Sequence, residues 1–333
     1  MRTSVILLSL IVLASCGGKE AKRVNEIEAQ IEARQYQDAA NSLRQALKED
    51  PKNKEFLRTQ ALLFLHTDQI VYAVATYRKL LEISPNDLFL GKSLEHENPV
   101  VRINSAKALG MLRSTDAVPF LIDAADDEDK KVRQAVVLAL GDLKSEDAIP
   151  ALIKALRDDD WFVRAEATNA LSKMGNKTIV PLLFPLVSDQ DAYVQETARN
   201  ALITLATPEN ESAYLEALHS NTAATRRMGA IALAHLGNQA GIPILIEEMK
   251  EPSTSDVIKV IEALVLLNNP EALPELRDAS GHEELEIALP SVLALGRMND
   301  KDSVPFLREL SNDSSKDIRL RKAAVVSLSR IEK

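Results

Sequence analysis

The side chains in this 333-residue chain best equipped for chemistry are five histidines, His66, His96, His219, His235 and His282, and one cysteine, Cys16. Two of the histidines stand in His-Glu pairs, His96-Glu97 and His282-Glu283, which lie 186 residues apart. Paired imidazole and carboxylate groups hold iron or zinc when several ligand atoms converge within bonding distance of one ion. At that separation in an extended body the two pairs do not share an ion, so no metal site is expected. A lone cysteine admits neither an intrachain disulfide nor a thiolate metal centre. No glycine-rich phosphate loop, nucleophile elbow or framed pair of catalytic carboxylates occurs. The sequence therefore predicts no catalytic residue and no cofactor.

The elements that must position any other site follow from an internal repeat. Val118-Pro119-Phe120-Leu121 recurs as Ile149-Pro150-Ala151-Leu152 and as Val180-Pro181-Leu182-Leu183, a period of 31 residues. The proline returns on the same lattice at Pro243, Pro274 and Pro305, skipping only Ser212. Self-similarity at this length signals a stacked array of short supersecondary units. Each unit reads as two helices. Asp116, Asp147, Thr178 and Asp302 stand three residues before their prolines, where a side chain can cap the first-turn amides, and proline is tolerated in that first turn. A second set of caps, Asn98, Asp129, Asp160, Asp191, Thr222, Ser253, Glu284 and Ser315, opens the second helix. That helix carries apolar residues at three- and four-residue spacing, such as Val163, Ala167, Ala170 and Leu171, which gives it one buried face. Gly110, Gly141 and Gly296 permit close helix approach, while Gly175 and Gly237 suit helix C-caps.

This pattern resembles the HEAT family, in the short form known from phycobilisome lyases, over residues 86–333 in eight units. It rests on the lattice proline, the Ala-Leu-Gly ending and the Asp-x5-Arg spacing of Asp127/Arg133 and Asp158/Arg164. The resemblance implies that these four residues form a structural ladder between neighbouring repeats. Gln195 and Val257 replace the arginine in later units, so the ladder is expected to be partial. The resemblance also brings two enzymatic precedents, a bilin lyase and an iron-dependent hydroxylase. The hydroxylase carries its His-Glu pairs inside second helices, whereas both pairs here fall in the turn before that helix.

Residues 24–85 keep a different period. Gln35 through Pro51 aligns with Gln69 through Pro85 at a spacing of 34, matching Ala39 with Ala73, Leu43 with Tyr77 and Ala46 with Leu80. These residues look like two tetratricopeptide repeats. Two such hairpins hide their apolar faces only against a neighbour, so the second is expected to pack on the first HEAT helices near Leu88 to Leu94. The fold class expected for the chain is thus all-α, a right-handed solenoid of HEAT-like hairpins preceded by two tetratricopeptide-like hairpins.

The N-terminus reads as a leader. Residues 1–15 contain one basic residue, Arg2, then an apolar run from Val5 to Leu13, too short for a spanning helix, then small residues. Leu13-Ala14-Ser15-Cys16 resembles a bacterial lipobox, which implies lipidation of Cys16, a lipidated tether over 16–23, and a protein held on the bilayer in the cell envelope. Gly17 after the cysteine favours the outer membrane within that resemblance.

The net charge of −9 resides almost wholly in residues 86–333, and an acidic surface repels phosphate backbones, so nucleic acid is not expected as a partner. Apolar residues make up 46% of the chain but aromatics only 4%, so a turn aromatic stands out. Trp161, Phe162 and Tyr193 open second helices where other units carry Lys130, Lys131 or Ala192, and they are the leading contact candidates for a protein partner. Arg226, Arg227 and Met228 are weaker ones. The function expected is a membrane-anchored, non-catalytic scaffold that binds other proteins of the envelope, with the catalytic HEAT protein as its rival.

Overall fold

The computed structural model describes residues 18–250 and 256–333. The leader, Cys16 and the Ser253 cap lie outside the described residues. Among the described residues every regular element is an α-helix or a short 3-10 turn, with no strand. The chain is an all-α solenoid, and it divides into two compact units, Met1–Met174 and Gly175–Lys333.

The first unit holds α1 (Lys19–Glu32), α2 (Tyr36–Glu49), α3 (Lys54–His66), α4 (Ile70–Ile83), α5 (Phe89–Lys92), α6 (Pro99–Leu112), α7 (Val118–Ala124), α8 (Lys130–Leu143), α9 (Ile149–Ala155) and α10 (Trp161–Lys173). The 34-residue hairpins and the first 31-residue units share this body because α3 and α4 both pack on α6. Three polar contacts hold that junction. Asn104 donates its side-chain amide to the Leu65 carbonyl at 2.8 Å. Arg58 donates to the Asp87 carboxylate at 2.9 Å, and the Tyr77 hydroxyl donates to the Asp87 carbonyl. Asp87 is buried, and its carboxylate also accepts the Phe89 amide that opens α5.

The second unit holds α11 (Val180–Leu183), α12 (Ala192–Thr204), α13 (Glu211–Ala217), α14 (Ala223–His235), α15 (Ile242–Lys250), α16 (Val257–Leu267), α17 (Leu273–Ser280), α18 (Leu285–Arg297), α19 (Val304–Asn312) and α20 (Ile318–Ile331). The long second helices α12, α14, α16, α18 and α20 stack in order, each on the next. Here, as in the first unit, the apolar stripe of each second helix is the core. On α10, Val163, Ala167 and Leu171 are wholly buried. A leucine so placed contributes about 1.5–3 kcal/mol relative to an exposed one.

The helix starts differ from the expectation in one respect. A 3-10 turn precedes each first helix from Val118 onward, as at Thr115–Ala117, Glu146–Ala148 and Lys177–Ile179. Asp116, Asp147, Thr178 and Asp302 lie inside these turns and cap nothing. Capping falls earlier where it occurs: Asn176, Asn238 and Asn269 accept the amides of Thr178, Ala240 and Glu271. At the second helices Asn98, Asp129, Asp160 and Asp191 do cap. Thr222 and Glu284 make no side-chain cap bond, and the last cap is Asp317 in place of Ser315.

The charged ladder runs between units, with a register the Asp-x5-Arg spacing does not convey. Arg133 donates Nε and Nη2 to the Asp158 carboxylate of the following unit at 2.8 and 2.9 Å. Its Nη1 returns to the Asp127 carbonyl of its own turn at 2.9 Å. The Asp127 carboxylate belongs to Arg102, 2.9 Å away, and both side chains are buried. Arg164 repeats the return to its own turn, donating to the Asp158 carbonyl at 2.8 Å. In the second unit Gln195 keeps only that half, reaching the Asp189 carbonyl at 2.6 Å. Arg226 likewise holds the Ser220 carbonyl at 2.8 Å.

Two predictions follow from packing and charge. A Cβ built on Gly296 would lie 2.6 Å from Ser327 Cα, a backbone contact that no side-chain motion relieves. Gly296→Ala should therefore cost about 1–3 kcal/mol in urea unfolding, whereas Gly281→Ala, with only ordinary contact nearby, should cost far less. Burial tends to raise the Asp158 carboxyl, but the Arg133 hydrogen bonds and the Asp160 amide outweigh it and hold the group below the usual carboxylate range. A lowered folded-state value adds stability at neutral pH that is lost as acid protonates the group. Arg133→Gln should flatten the fall in stability between about pH 5 and pH 3.

Candidate functional site

Three side chains from separate elements of the first unit meet at one point. Glu32 ends α1, His66 ends α3, and His96 lies in the turn that precedes α6. Among the described residues this is the one group of three histidine, cysteine or acidic side chains whose ligand atoms all lie within 4.8 Å of one another.

The 31-residue lattice explains how His96 arrives there. Its column contains Asp127, Asp158 and Asp189, whose carboxylates accept the backbone amide two residues on at 2.8, 2.8 and 2.9 Å. His96 performs the same service with its ring, accepting the Asn98 amide at Nδ1 over 3.0 Å. An amide N–H can only donate, so Nδ1 of neutral His96 carries no proton and Nε2 carries it. Asn98 spends its side-chain oxygen on the Val100 amide at 2.9 Å, which turns its Nδ2 toward Nδ1 of His66 at 3.4 Å. Both rings consequently present Nε2 to Glu32, whose Oε1 lies 3.5 Å from His66 and 3.6 Å from His96.

His66 is buried and its Nε2 makes no hydrogen bond. The two rings stand edge to face at 5.3 Å. Burial, and then the neighbouring His96, push the His66 imidazole down to about 4. Burial also lowers His96, against the opposing pull of Glu32 and Glu97. Both rings are thus neutral at physiological pH, the state in which imidazole serves as a ligand.

Sequence reasoning missed this group because it compared His96 with its lattice partner His282. The structure separates those two roles. His282 repeats the turn contact, accepting the Glu284 amide at 3.0 Å, but it is exposed. His66 lies in the 34-residue hairpins, where no 31-residue lattice points to it. The one available signal was that α3 must end against the first 31-residue unit.

The partner-contact candidates divide. Trp161 and Tyr193 lie at the start of α10 and α12 and are 44% and 51% exposed. Half-buried Phe162 stands edge-on to Trp161 at 5.6 Å. Met228, by contrast, is 1% exposed: it points into the core and offers no contact surface. Arg227 is also turned inward, pairing with Glu248 at 2.6 Å and with Asp256 at 3.1 Å. Arg226 is engaged with the carbonyl of its own turn. Asp256, 3% exposed, forms an ion pair with a second guanidinium, Arg199, at 3.3 Å. This knot replaces the ladder where Val257 interrupts it.

A different surface of the second unit was not legible as a site. Ile258, Val265, Pro290 and Leu293 wall a groove of about 230 Å³ between α16 and α18, with Glu262, Arg297 and Arg330 at its rim. Ile258 and Leu266 beside it are 50% and 56% exposed. Pro290, inside α18, brings no N–H of its own to the groove wall.

The comparisons with known proteins agree with this architecture. The HEAT repeat model matches residues 88–172, 149–213, 180–264 and 242–329, and the chain belongs to the HEAT-repeat family. A tetratricopeptide repeat model matches residues 30–95. No curated protein matches the chain in sequence. Among solved structures, importin beta superposes with a TM-score of 0.66 at 14% identity, covering 97% of this chain and 56% of its own. Kap121p superposes at 0.55 with 13% identity, covering 87% and 37%. The complex of CpcE and CpcF of phycocyanin lyase from Nostoc sp. PCC7120 aligns over 73% of this chain and 93% of its own, with 18% identity and a TM-score of 0.36. At these identities the likeness is one of fold alone.

Removing the buried carboxylate should expose the cost of the charged knot. Asp256→Ala leaves Arg199 and Arg227 without their shared counter-charge, and we expect a loss of about 3 kcal/mol, the low end for breaking a buried ion pair. Denaturant unfolding of that variant beside Arg199→Met/Asp256→Ala measures it: the double variant should recover part of the loss.

Proposed function

We propose that this protein is a non-catalytic scaffold that captures other proteins on its second helices and is held by a lipid on Cys16 in the bacterial cell envelope. The observation that carries the protein-binding part is the apolar groove between α16 and α18, flanked by the exposed Ile258 and Leu266. Large apolar side chains left in water beside a concave wall mark an interaction surface. Helical repeat arrays commonly use such surfaces to bind proteins. Much of the polar chemistry of the second helices is turned inward, into the ladder and the Asp256 knot, where it holds repeats together. The net charge of −9 argues against nucleic acid.

The anchoring part rests on the sequence. Among the described residues no helix is long and apolar enough to cross a membrane. The leader-like run followed by Leu13-Ala14-Ser15-Cys16 offers attachment by acyl chains, each buried CH₂ adding about 0.8 kcal/mol of membrane affinity.

A photo-crosslinking residue placed at Ile258 or Trp161 in native envelopes should yield discrete protein adducts, while one at Lys154, exposed on a first helix, should not. Adducts of equal yield at all three positions would remove the case for a second-helix surface. Trp161→Ala should weaken capture with little change in thermal midpoint, and Cys16→Ser should shift the protein from the membrane to the soluble fraction and abolish incorporation of labelled fatty acid.

A further inference from the structure

We propose that Glu32, His66 and His96 form a binding site for one divalent cation of the zinc class, held by Glu32 Oε1 and by Nε2 of both histidines. The spacing is the first argument. At 3.5 and 3.6 Å the carboxylate oxygen is too far from either ring nitrogen for a good hydrogen bond. The same separations match the edges of a coordination tetrahedron, which bonds of about 2.0–2.1 Å make about 3.3–3.4 Å long. The second argument is His66 itself. Its side chain is 2% exposed, yet its Nε2 points at this gap without a hydrogen-bond partner. A buried polar atom left so is uncommon, and a cation answers it. Two imidazoles and one carboxylate select the zinc class over calcium or magnesium, which prefer oxygen ligands throughout. Glu32, 60% exposed, leaves the fourth position open to water.

Asn98 sits behind both rings and constrains how the cation enters. Its amide holds Nδ1 of His96 as an acceptor, so the proton of that ring rests on Nε2. On uptake that proton must transfer to Nδ1, with water as the carrier, and the amide of Asn98 must release the ring. His66, whose Nδ1 faces the Asn98 side-chain amide at 3.4 Å, must likewise shift its proton from Nε2 to Nδ1 and lose that contact. The site therefore couples three elements, the ends of α1 and α3 and the turn before α6, at the cost of the Asn98 contacts behind both rings. It is a clip between the tetratricopeptide hairpins and the first HEAT unit, independent of which protein the array captures.

The test uses the full chain, stripped of metal by chelator and titrated with Zn²⁺ by calorimetry. A parallel Co²⁺ titration reads coordination from its visible absorption. The expected result is one equivalent bound, tetrahedral cobalt bands, a raised thermal midpoint and a shifted Asn98 amide resonance. His66→Gln, His96→Gln and Glu32→Gln should each lower affinity by about tenfold or more, taking the effect of losing even an outer-shell partner as the floor. His282→Ala, which removes the lattice equivalent of His96, should leave binding unchanged. No uptake of the stoichiometric ion would overturn the proposal, as would uptake indifferent to the three ligand variants or lost in His282→Ala. Should His66→Gln fail to fold, Glu32→Gln decides the matter, because that side chain lies at an exposed helix end.

Discussion

Arg102 and Arg133 each divide their guanidinium donors between two tasks. One side of the fork donates to the orphan carbonyls of the turn that opens its own helix, and the other crosses to a carboxylate in the next unit. The carboxylate, in turn, holds the amide two residues along in its own turn. A single planar cation thus fixes the conformation of one turn and its distance from the next. Lysine, a point charge with no fork, would not reproduce this geometry. Apolar stripes supply most of the stability of the stack, but they are nearly translationally uniform along a helix of alanines and leucines. The ladder is what makes one register better than its neighbours.

Where the ladder weakens, the protein replaces it with local chemistry. Gln195 retains the turn contact and gives up the charge. Asp256 gathers Arg199 and Arg227 in one buried knot. At the other end the column is filled by His96, which keeps the turn contact of an aspartate through Nδ1 and frees a second nitrogen for another use. A repeat that must cap the array against a different hairpin thereby presents a ring nitrogen where the interior repeats, with Asp127, Asp158 and Asp189, have none.

The architecture was legible in the sequence because its signals are periodic. The prolines, the turn aspartates and the Ala-Leu endings all carry the same spacing, and any one of them locates the others. The solenoid, the second-helix caps from Asn98 to Asp191 and the close approach at Gly296 could be read in this way. The candidate site was not, since its members obey no common period: Glu32 and His66 follow the 34-residue hairpins and His96 the 31-residue lattice. Met228 misled as well. The sequence places it among the weaker contact candidates, whereas its side chain fills core volume. Periodicity tells which residues are equivalent, and it is silent on what faces an element of another period.

The forward reach of the ladder has a consequence for how such a chain changes length. Arg133 meets Asp158 because 25 residues separate them, and the same interval joins Arg102 to Asp127. Insertion or loss of one whole unit within the run of Arg102 and Arg133 leaves each of these arginines facing an aspartate. Any other increment breaks the pair that spans it, because that arginine and its aspartate are no longer 25 residues apart. Duplication of complete units is therefore the step open to this lineage, and its size is quantised by the span of one side chain.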